Sequence, residues 1–338
     1  GLLLFIHRKQ PDKLFSRLMV VFVVMLLSLY CSFLSSQSYE KNKKSVGNIS
    51  IAMIQGNIPQ DTKWDPFKAQ DNLNAYLRLT NNAVKDGADL VMWPETAYPY
   101  GIKQKKMGKS HFLDKEGLSA PILFGAVVTD RKKSQRRLYN AVILADKTAL
   151  MSEYYHKIHL VPFGEYLPFK ELLSSFGGLI QGVGEFDSGS KYTLFSVKDI
   201  KLSALICFED VFPFYARRFA QDGANILFNV TNDAWYGDSS MQYQHLVYSQ
   251  FRALENRRYL LRSTNTGFTG VISPSGVVVE GLKPFTEDFL LYNLKVEQAD
   301  SFYTKYGHGW VYLIVILCFA TMIYAIVKVR LGPVKVEF

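Results

Sequence analysis

Two uncharged apolar runs, Leu18 to Tyr39 and Gly309 to Val327, restrict what this chain can fold into more than anything else in it. Each approaches the ~20 residues that cross a hydrocarbon core as a helix. The first is longer than the apolar stretch of a secretory leader, and no clear small-residue cleavage site follows it. Basic residues flank both runs on the sides nearest the termini: His7, Arg8, Lys9, Lys13 and Arg17 before the first, Lys328, Arg330 and Lys335 after the second. Under the positive-inside rule both termini are cytoplasmic, and residues 40–305 lie across the membrane. The chain begins at Gly1, and residues 2–6 are wholly apolar. They read as the tail of an earlier apolar segment, so further spans are expected ahead of them. The expected layout is a membrane segment over 1–39 with its span at about 18–36, a folded domain over 45–300, a transmembrane helix over 309–327 and a cytoplasmic tail over 328–338.

The intervening residues suit one α/β domain. Short apolar runs recur at Ile49–Gln55, Asp89–Trp93, Ile122–Val128, Ala141–Ala145, Leu202–Cys207, Ile226–Val230 and Thr269–Ser273, and they read as buried strands. Helical stretches separate several of them, notably Phe67–Lys85, Val211–Gln221 and Tyr243–Asn256. That alternation predicts a sheet with helices on its faces. Pro274 and Gly276 mark a hairpin turn. Residues 163–190 are apolar yet rich in glycine, including Leu172, Leu173 and Phe176, and they read as a mobile lid beside the site or as a cap on the core.

The formal charge of +9 raises the question of nucleic acid. No zinc-finger spacing, aromatic RNA-binding pattern or basic helix accompanies it, so no nucleic-acid partner is expected. The clusters Lys103 to Lys109 and Arg131 to Arg137 suit anionic headgroups at a membrane surface, or plain solvated loops. Three cysteines leave little scope for a disulfide framework. Cys31 and Cys318 lie inside the apolar runs, so Cys207 is expected to be free.

Cys207 ends an apolar run and is followed at once by Phe208, Glu209 and Asp210. A strand that stops on a thiol presents it where backbone amides can face whatever it attacks. The plain alternative is a small core hydrophobe. Two other segments favour the nucleophile. The run Leu90–Trp93 ends on Pro94 and Glu95, and the stretch from Tyr155 to Glu165 carries Lys157 and a second carboxylate. A base, a cation and a thiol are the parts of acyl transfer through a thioester. His156 and His159 lack the third ligand of a metal site, so no metal is expected. Arg252, Glu255 and Asn256 read as a polar network on a helix. Asn140 and Asn265 read as pocket hydrogen-bonders or turn residues.

These segments, with IQGNIPQDTKW, WPET, KIHLVPFGEYLP, ICFED, NDAWYG, RALENRRYLLRSTNTG and KYGHGWVYL in that order, resemble the bacterial apolipoprotein N-acyltransferases, membrane members of the nitrilase superfamily. The similarity runs from about Ile49 through the second apolar run. It implies a nitrilase-like α/β fold, a four-layer αββα sandwich, flanked by transmembrane helices, and several membrane helices ahead of the catalytic domain. It implies Glu95 as general base, Lys157 as the cationic member and Cys207 as nucleophile, with Glu165 as a second essential glutamate and Glu209 in support. Trp64 and Trp235 match aromatic positions near the pocket, where Trp64 could equally pack in the core. Phe208 stands where a tyrosine commonly follows the cysteine, which keeps the ring and loses the hydroxyl. The implied reaction moves a fatty acyl chain from a phospholipid donor, through a Cys207 thioester, to the amino group of a diacylglyceryl-modified apolipoprotein, with no cofactor. The implied location is the bacterial inner membrane, with the catalytic domain on the periplasmic face. Two alternatives are a membrane-tethered nitrilase-like amidase and a catalytically silent scaffold.

Overall fold

The computed structural model describes residues 11–106, 118, 120–132, 135–168 and 185–331. The chain divides into two compact units, Gly1–Lys44 and Ser45–Phe338. In the first, helix α1 (Pro11–Asn42) holds the first apolar run. Its stretch Val21–Asn42 is, among the described residues, long and apolar enough to cross a membrane.

In the second unit, one seven-stranded sheet carries the order β14-β1-β2-β4-β5-β6, with β3 beside β4. Its strands are β1 (Lys44–Gln55), β2 (Leu90–Met92), β3 (Tyr98–Lys103), β4 (Ile122–Lys132), β5 (Gln135–Ala145), β6 (Met151–His156) and β14 (Asp288–Gln298). The other seven-stranded sheet runs β13-β12-β11-β10-β8-β7, with β9 beside β10. It is built from β7 (Phe195–Val197), β8 (Ile200–Leu202), β9 (Leu205–Ile206), β10 (Ile226–Thr231), β11 (Tyr259–Thr264), β12 (Gly270–Ile272) and β13 (Val278–Gly281). The strand period of two sorts the side chains between layers. On β1, Ile49, Ile51 and Met53 join the core shared with the second sheet, packing with residues such as Leu202, Leu205 and Phe228. Ala52 and Ile54 point the other way, into a core with helix α2 (Ala69–Lys85). Helix α2 supplies Leu73, Tyr76, Leu77 and Ala83 to that core, the spacing of one helical face. Helices α3 (Pro213–Gln221) and α4 (Met241–Asn256) cover the second sheet through Phe219, Leu246 and Ala253. The result is a layered α/β arrangement, helix on sheet on sheet on helix, as expected from the sequence.

The run Leu202–Cys207 is not one strand. It breaks at Ser203–Ala204 into β8 and β9, and Cys207 opens a 3-10 turn, Cys207–Val211. The apolar residues that suggested a continuous strand are buried whether or not they sit in the ladder. Strand β14 escaped the sequence reading because its polar and apolar residues do not alternate cleanly; it pairs with β1 although the two are far apart in sequence. The hairpin at Pro274 and Gly276 is present between β12 and β13, with Gly276 at φ +79°. A short helix α5 (Phe302–Tyr306) leads into α6 (Gly309–Leu331), which holds the second apolar run. Its described apolar stretch is Ile314–Tyr324. Most of the predicted lid, including Leu172, Leu173 and Phe176, lies outside the described residues.

Candidate active site

Strand β2 delivers Glu95 through a firmly anchored turn. Trp93 is fully buried, stacks on Tyr76 with ring centroids 5.2 Å apart and donates its indole N–H to Thr80 on α2 at 2.8 Å. Thr96, just beyond the glutamate, sits at φ +47°. The turn lies against Gly125 of β4, where an added Cβ would stand 2.4 Å from both the Pro94 carbonyl oxygen and the Thr96 nitrogen. Only glycine permits that approach. Glu95 Oε1 accepts from Asn140 Nδ2 at 2.7 Å, and Oε2 accepts from the backbone N–H of Asn232 at 3.0 Å.

Lys157 follows β6 and is buried at 1% exposure. Its backbone N–H donates to the Asn140 carbonyl at 2.8 Å, so the lysine and the asparagine are fixed to each other by main chain as well as by site. The Lys157 Nζ lies 2.8 Å from Glu165 Oε2 and 3.7 Å from Glu95 Oε1. Asn140 Nδ2 also donates to Glu165 Oε1 at 3.1 Å, bridging the two carboxylates. Burial by itself would lower the Lys157 pKa, but the Glu95 carboxylate, with Glu165, outweighs it and holds the ammonium well above its ordinary value. This lysine stays charged.

Cys207 sits at the end of β9 with φ +50°, the left-handed region that a β-carbon disfavours. Asn229 Nδ2 donates to its carbonyl at 3.1 Å and steadies the turn. Burial and the Glu95 carboxylate push the thiol pKa well up, against the pull of Lys157 and a hydrogen bond with Thr231. Burial thus favours the neutral thiol, whose titration feels both the Glu95 carboxylate and the Lys157 ammonium. Glu209 is wholly buried and accepts from Tyr155 Oη, from the N–H groups of Ile158 and His159, and from the Ile206 N–H, at 2.7–3.0 Å. It ties the Cys207 turn to the loop that follows Lys157. Burial raises its pKa to about 7 despite those donors.

Phe208 directs its ring toward His245, with centroids 5.8 Å apart. Trp64 is exposed at 51%, so it is not a core residue, and Trp235 is exposed at 71%. Asn265 serves the turns: its Oδ1 accepts from the Ile58 N–H and its Nδ2 donates to Asn232 Oδ1. His156 stacks on Tyr139 while His159 meets Tyr215, so the two histidines do not converge. Arg252 donates to the carbonyls of Asp210 and Val211 and pairs with Glu255, a polar network on helix α4.

Two contributors were missed. Lys63, buried at 6% exposure, donates from Nζ to the Glu95 carbonyl at 3.0 Å. Burial lowers its pKa to about 8, against Glu95 and Cys207. A lysine between polar residues and a tryptophan carries no local signal of burial. Asn232 contributes a backbone amide, which no side-chain pattern announces.

A partly buried thiol, a buried carboxylate and a buried ammonium are thus carried at strand ends of two packed sheets with helices on their outer faces. The chain belongs to the carbon-nitrogen hydrolase family, which matches residues 50–303. It is similar to proteins named apolipoprotein N-acyltransferase: 37% identical to that of Geobacter metallireducens over 76% of this chain and 50% of the relative, and 31% identical to that of Pseudomonas syringae pv. tomato over 98% of this chain and 64% of the relative. The chain thus spans about half to two thirds of the length of these curated relatives. Among solved structures, it shares its fold with Saccharomyces cerevisiae Nit3, a member of branch 10 of the nitrilase superfamily, at TM-score 0.54 and 18% identity over 73% of this chain and 90% of that one. A Nesterenkonia amidase of the same superfamily aligns at TM-score 0.52 and 19% identity over 74% and 91%.

Proposed function

We propose that this chain moves a fatty acyl group from a membrane phospholipid to the N-terminal amine of a diacylglyceryl-cysteine apolipoprotein, through a thioester on Cys207. The observation that carries the reading is the packing of Glu95, Lys157, Glu165 and Asn140 into one hydrogen-bonded group beside a thiol that is neutral at rest. As the sulfur attacks the ester carbonyl, Glu95 accepts the thiol proton. Lys157, with the backbone N–H of Phe208, meets the charge that develops on the carbonyl oxygen. The C–O bond then breaks, and Glu95 returns the proton to the departing lysophospholipid oxygen. In the second half, Glu95 takes a proton from the incoming amine as its nitrogen attacks the thioester, and that proton goes to the departing Cys207 sulfur. One carboxylate acts as base and acid in turn. Glu165 and Asn140 hold the charges in place, and removing a preorganised donor such as Lys157 is expected to cost ~10²–10³ in rate.

The donor and acceptor follow from the likeness to the apolipoprotein N-acyltransferases, and the membrane setting is supported by the two apolar helices. On α6, Ile316, Phe319 and Tyr324 are each more than half exposed, a distribution that suits lipid better than water. The test is product identity. Chain supplied with acyl-labelled phospholipid and a diacylglyceryl-cysteine peptide should yield acylated peptide in amide linkage. Release of free fatty acid at a rate indifferent to the peptide would indicate a membrane-tethered hydrolase instead.

A further inference from the structure

Beneath the Cys207 turn lies a cluster that the chemistry above does not use. His245, on helix α4, is buried at 2% exposure, and each of its ring nitrogens faces a carboxylate. Nε2 lies 2.8 Å from Asp210 Oδ1 and Nδ1 lies 3.0 Å from Asp233 Oδ1. A bare ring nitrogen would set its lone pair against a carboxylate oxygen, so both nitrogens carry protons and the ring is an imidazolium. Arg262 of β11 reaches the other oxygens, Asp210 Oδ2 and Asp233 Oδ2, each at 3.2 Å. Ser249 donates to Asp210 Oδ2, and Thr231 donates to Asp233 Oδ1 at 3.1 Å. Both carboxylates are fully buried, and two negative charges meet two positive ones. Burial opposes the charged ring, but Asp210 and the two hydrogen bonds outweigh burial and Arg262 together and raise the His245 pKa to about 9.

The two carboxylates belong to the two turns that the site must hold in register. Asp210 lies in the Cys207–Val211 turn, which begins at the nucleophile. Asp233 directly follows Asn232, whose N–H holds Glu95 Oε2 at 3.0 Å. We propose that His245 is a positioning residue, an imidazolium strut that sets the separation between the turn carrying Cys207 and the turn that holds Glu95. It touches neither reacting atom. Arg262 spans the same pair of carboxylates from the other side, so the cluster keeps one bridge when the imidazole is removed and the fold is expected to survive. Space around the bridge is tight: a Cβ at Gly267 would stand 2.4 Å from Asp233 Oδ2.

This inference rests on the reading of Glu95 as the base for Cys207, and the test separates the two. The readout is the rate at which iodoacetamide alkylates Cys207 in the full chain at neutral pH, followed by mass spectrometry and expressed per folded molecule. The difference between native chain and Glu95→Gln measures the assistance of the base. His245→Ala should lose ~10- to 10²-fold, toward the Glu95→Gln rate, while keeping a cooperative melting transition. Added imidazole should restore most of that rate. 1-Methylimidazole, which fills similar space and carries the same charge when protonated but has a single N–H, should not. Rescue by both compounds or by neither, or an unchanged rate in His245→Ala, overturns the strut. Should the alanine variant not fold, His245→Gln, which retains volume and one donor, must show the same loss with its melting transition intact, and a native rate there overturns the proposal. A native chain no faster than Glu95→Gln removes the base assignment, and this inference with it.

Discussion

Two of the candidate site residues are marked in the sequence by the apolar run each one closes, Glu95 after Trp93 and Cys207 after Ile206, whereas Lys157 follows a mixed stretch and stands out only within KIHLVPFGEYLP. Punctuation of that kind survives without any knowledge of the fold. Among the residues that hold those three in place, Lys63 and Asn232 were not legible, because their function comes from long-range proximity, and Glu209 was reached only through the family resemblance. Asn232 meets Glu95 across 137 residues of sequence, and Glu209 joins Ile158 across 51. At this scale two predictions follow from geometry. Gly125→Ala places a methyl group against the main chain of Pro94 and Thr96, so the Glu95 turn must shift. The expected cost is about 1–3 kcal/mol in denaturant unfolding, with a larger fractional loss in acyl transfer than stability alone explains. Stability equal to that of the native chain would show the turn to be pliant. The second concerns His245, whose pKa is about 9 in the fold against an ordinary 6.5, with Asp210, Asp233 and Arg262 facing it. A raised pKa stabilises most when the group is protonated in both states. Its contribution is therefore complete below pH 6.5 and is lost as pH rises through about 9. The stability gap between native chain and His245→Gln, on the order of 3 kcal/mol, should be open at pH 6 and nearly closed at pH 10. A gap independent of pH would contradict the charged ring.

At the scale of elements, alternation of apolar runs and helical stretches located most of the sandwich, and the failures share a cause. The stretch from Leu202 to Ile206 is buried as a whole, so hydrophobicity could not reveal that the chain leaves the ladder at Ser203 and Ala204. β14 needed its partner β1 to become visible. Helix α5 illustrates how elements are coupled. Arg217 on α3 donates from Nε to the carbonyls of Tyr303 and Thr304 and from Nη2 to that of Lys305, at 2.9–3.1 Å. Gly307, at φ +57°, follows immediately, and a Cβ there would stand 2.9 Å from the guanidinium carbon. The clamp fixes where the chain leaves the sandwich for α6. Arg217→Met should leave those carbonyls with only part of their partners, destabilising the unit by about 1–3 kcal/mol and raising hydrogen exchange over 301–308. Unchanged exchange in that segment would mean the helix is held by other contacts.

At the scale of the whole molecule, one apolar helix precedes the carbon-nitrogen hydrolase region in sequence and another follows it, and the proposed orientation rests on the basic residues beside them. The account expects a reporter fused after Phe338 to behave as cytoplasmic and one inserted at Ser134 to behave as exported. The reverse pattern would put the catalytic unit on the side opposite to the one proposed. The central claim, however, is covalent. Intact-mass measurement of the chain after incubation with phospholipid vesicles should reveal a single acyl increment on Cys207. Hydroxylamine should remove it, Cys207→Ala should lack it, and the diacylglyceryl-cysteine peptide should discharge it into acylated peptide. Acylated peptide formed by Cys207→Ala, or turnover by native chain with no acyl increment under rapid quenching, would contradict the thioester.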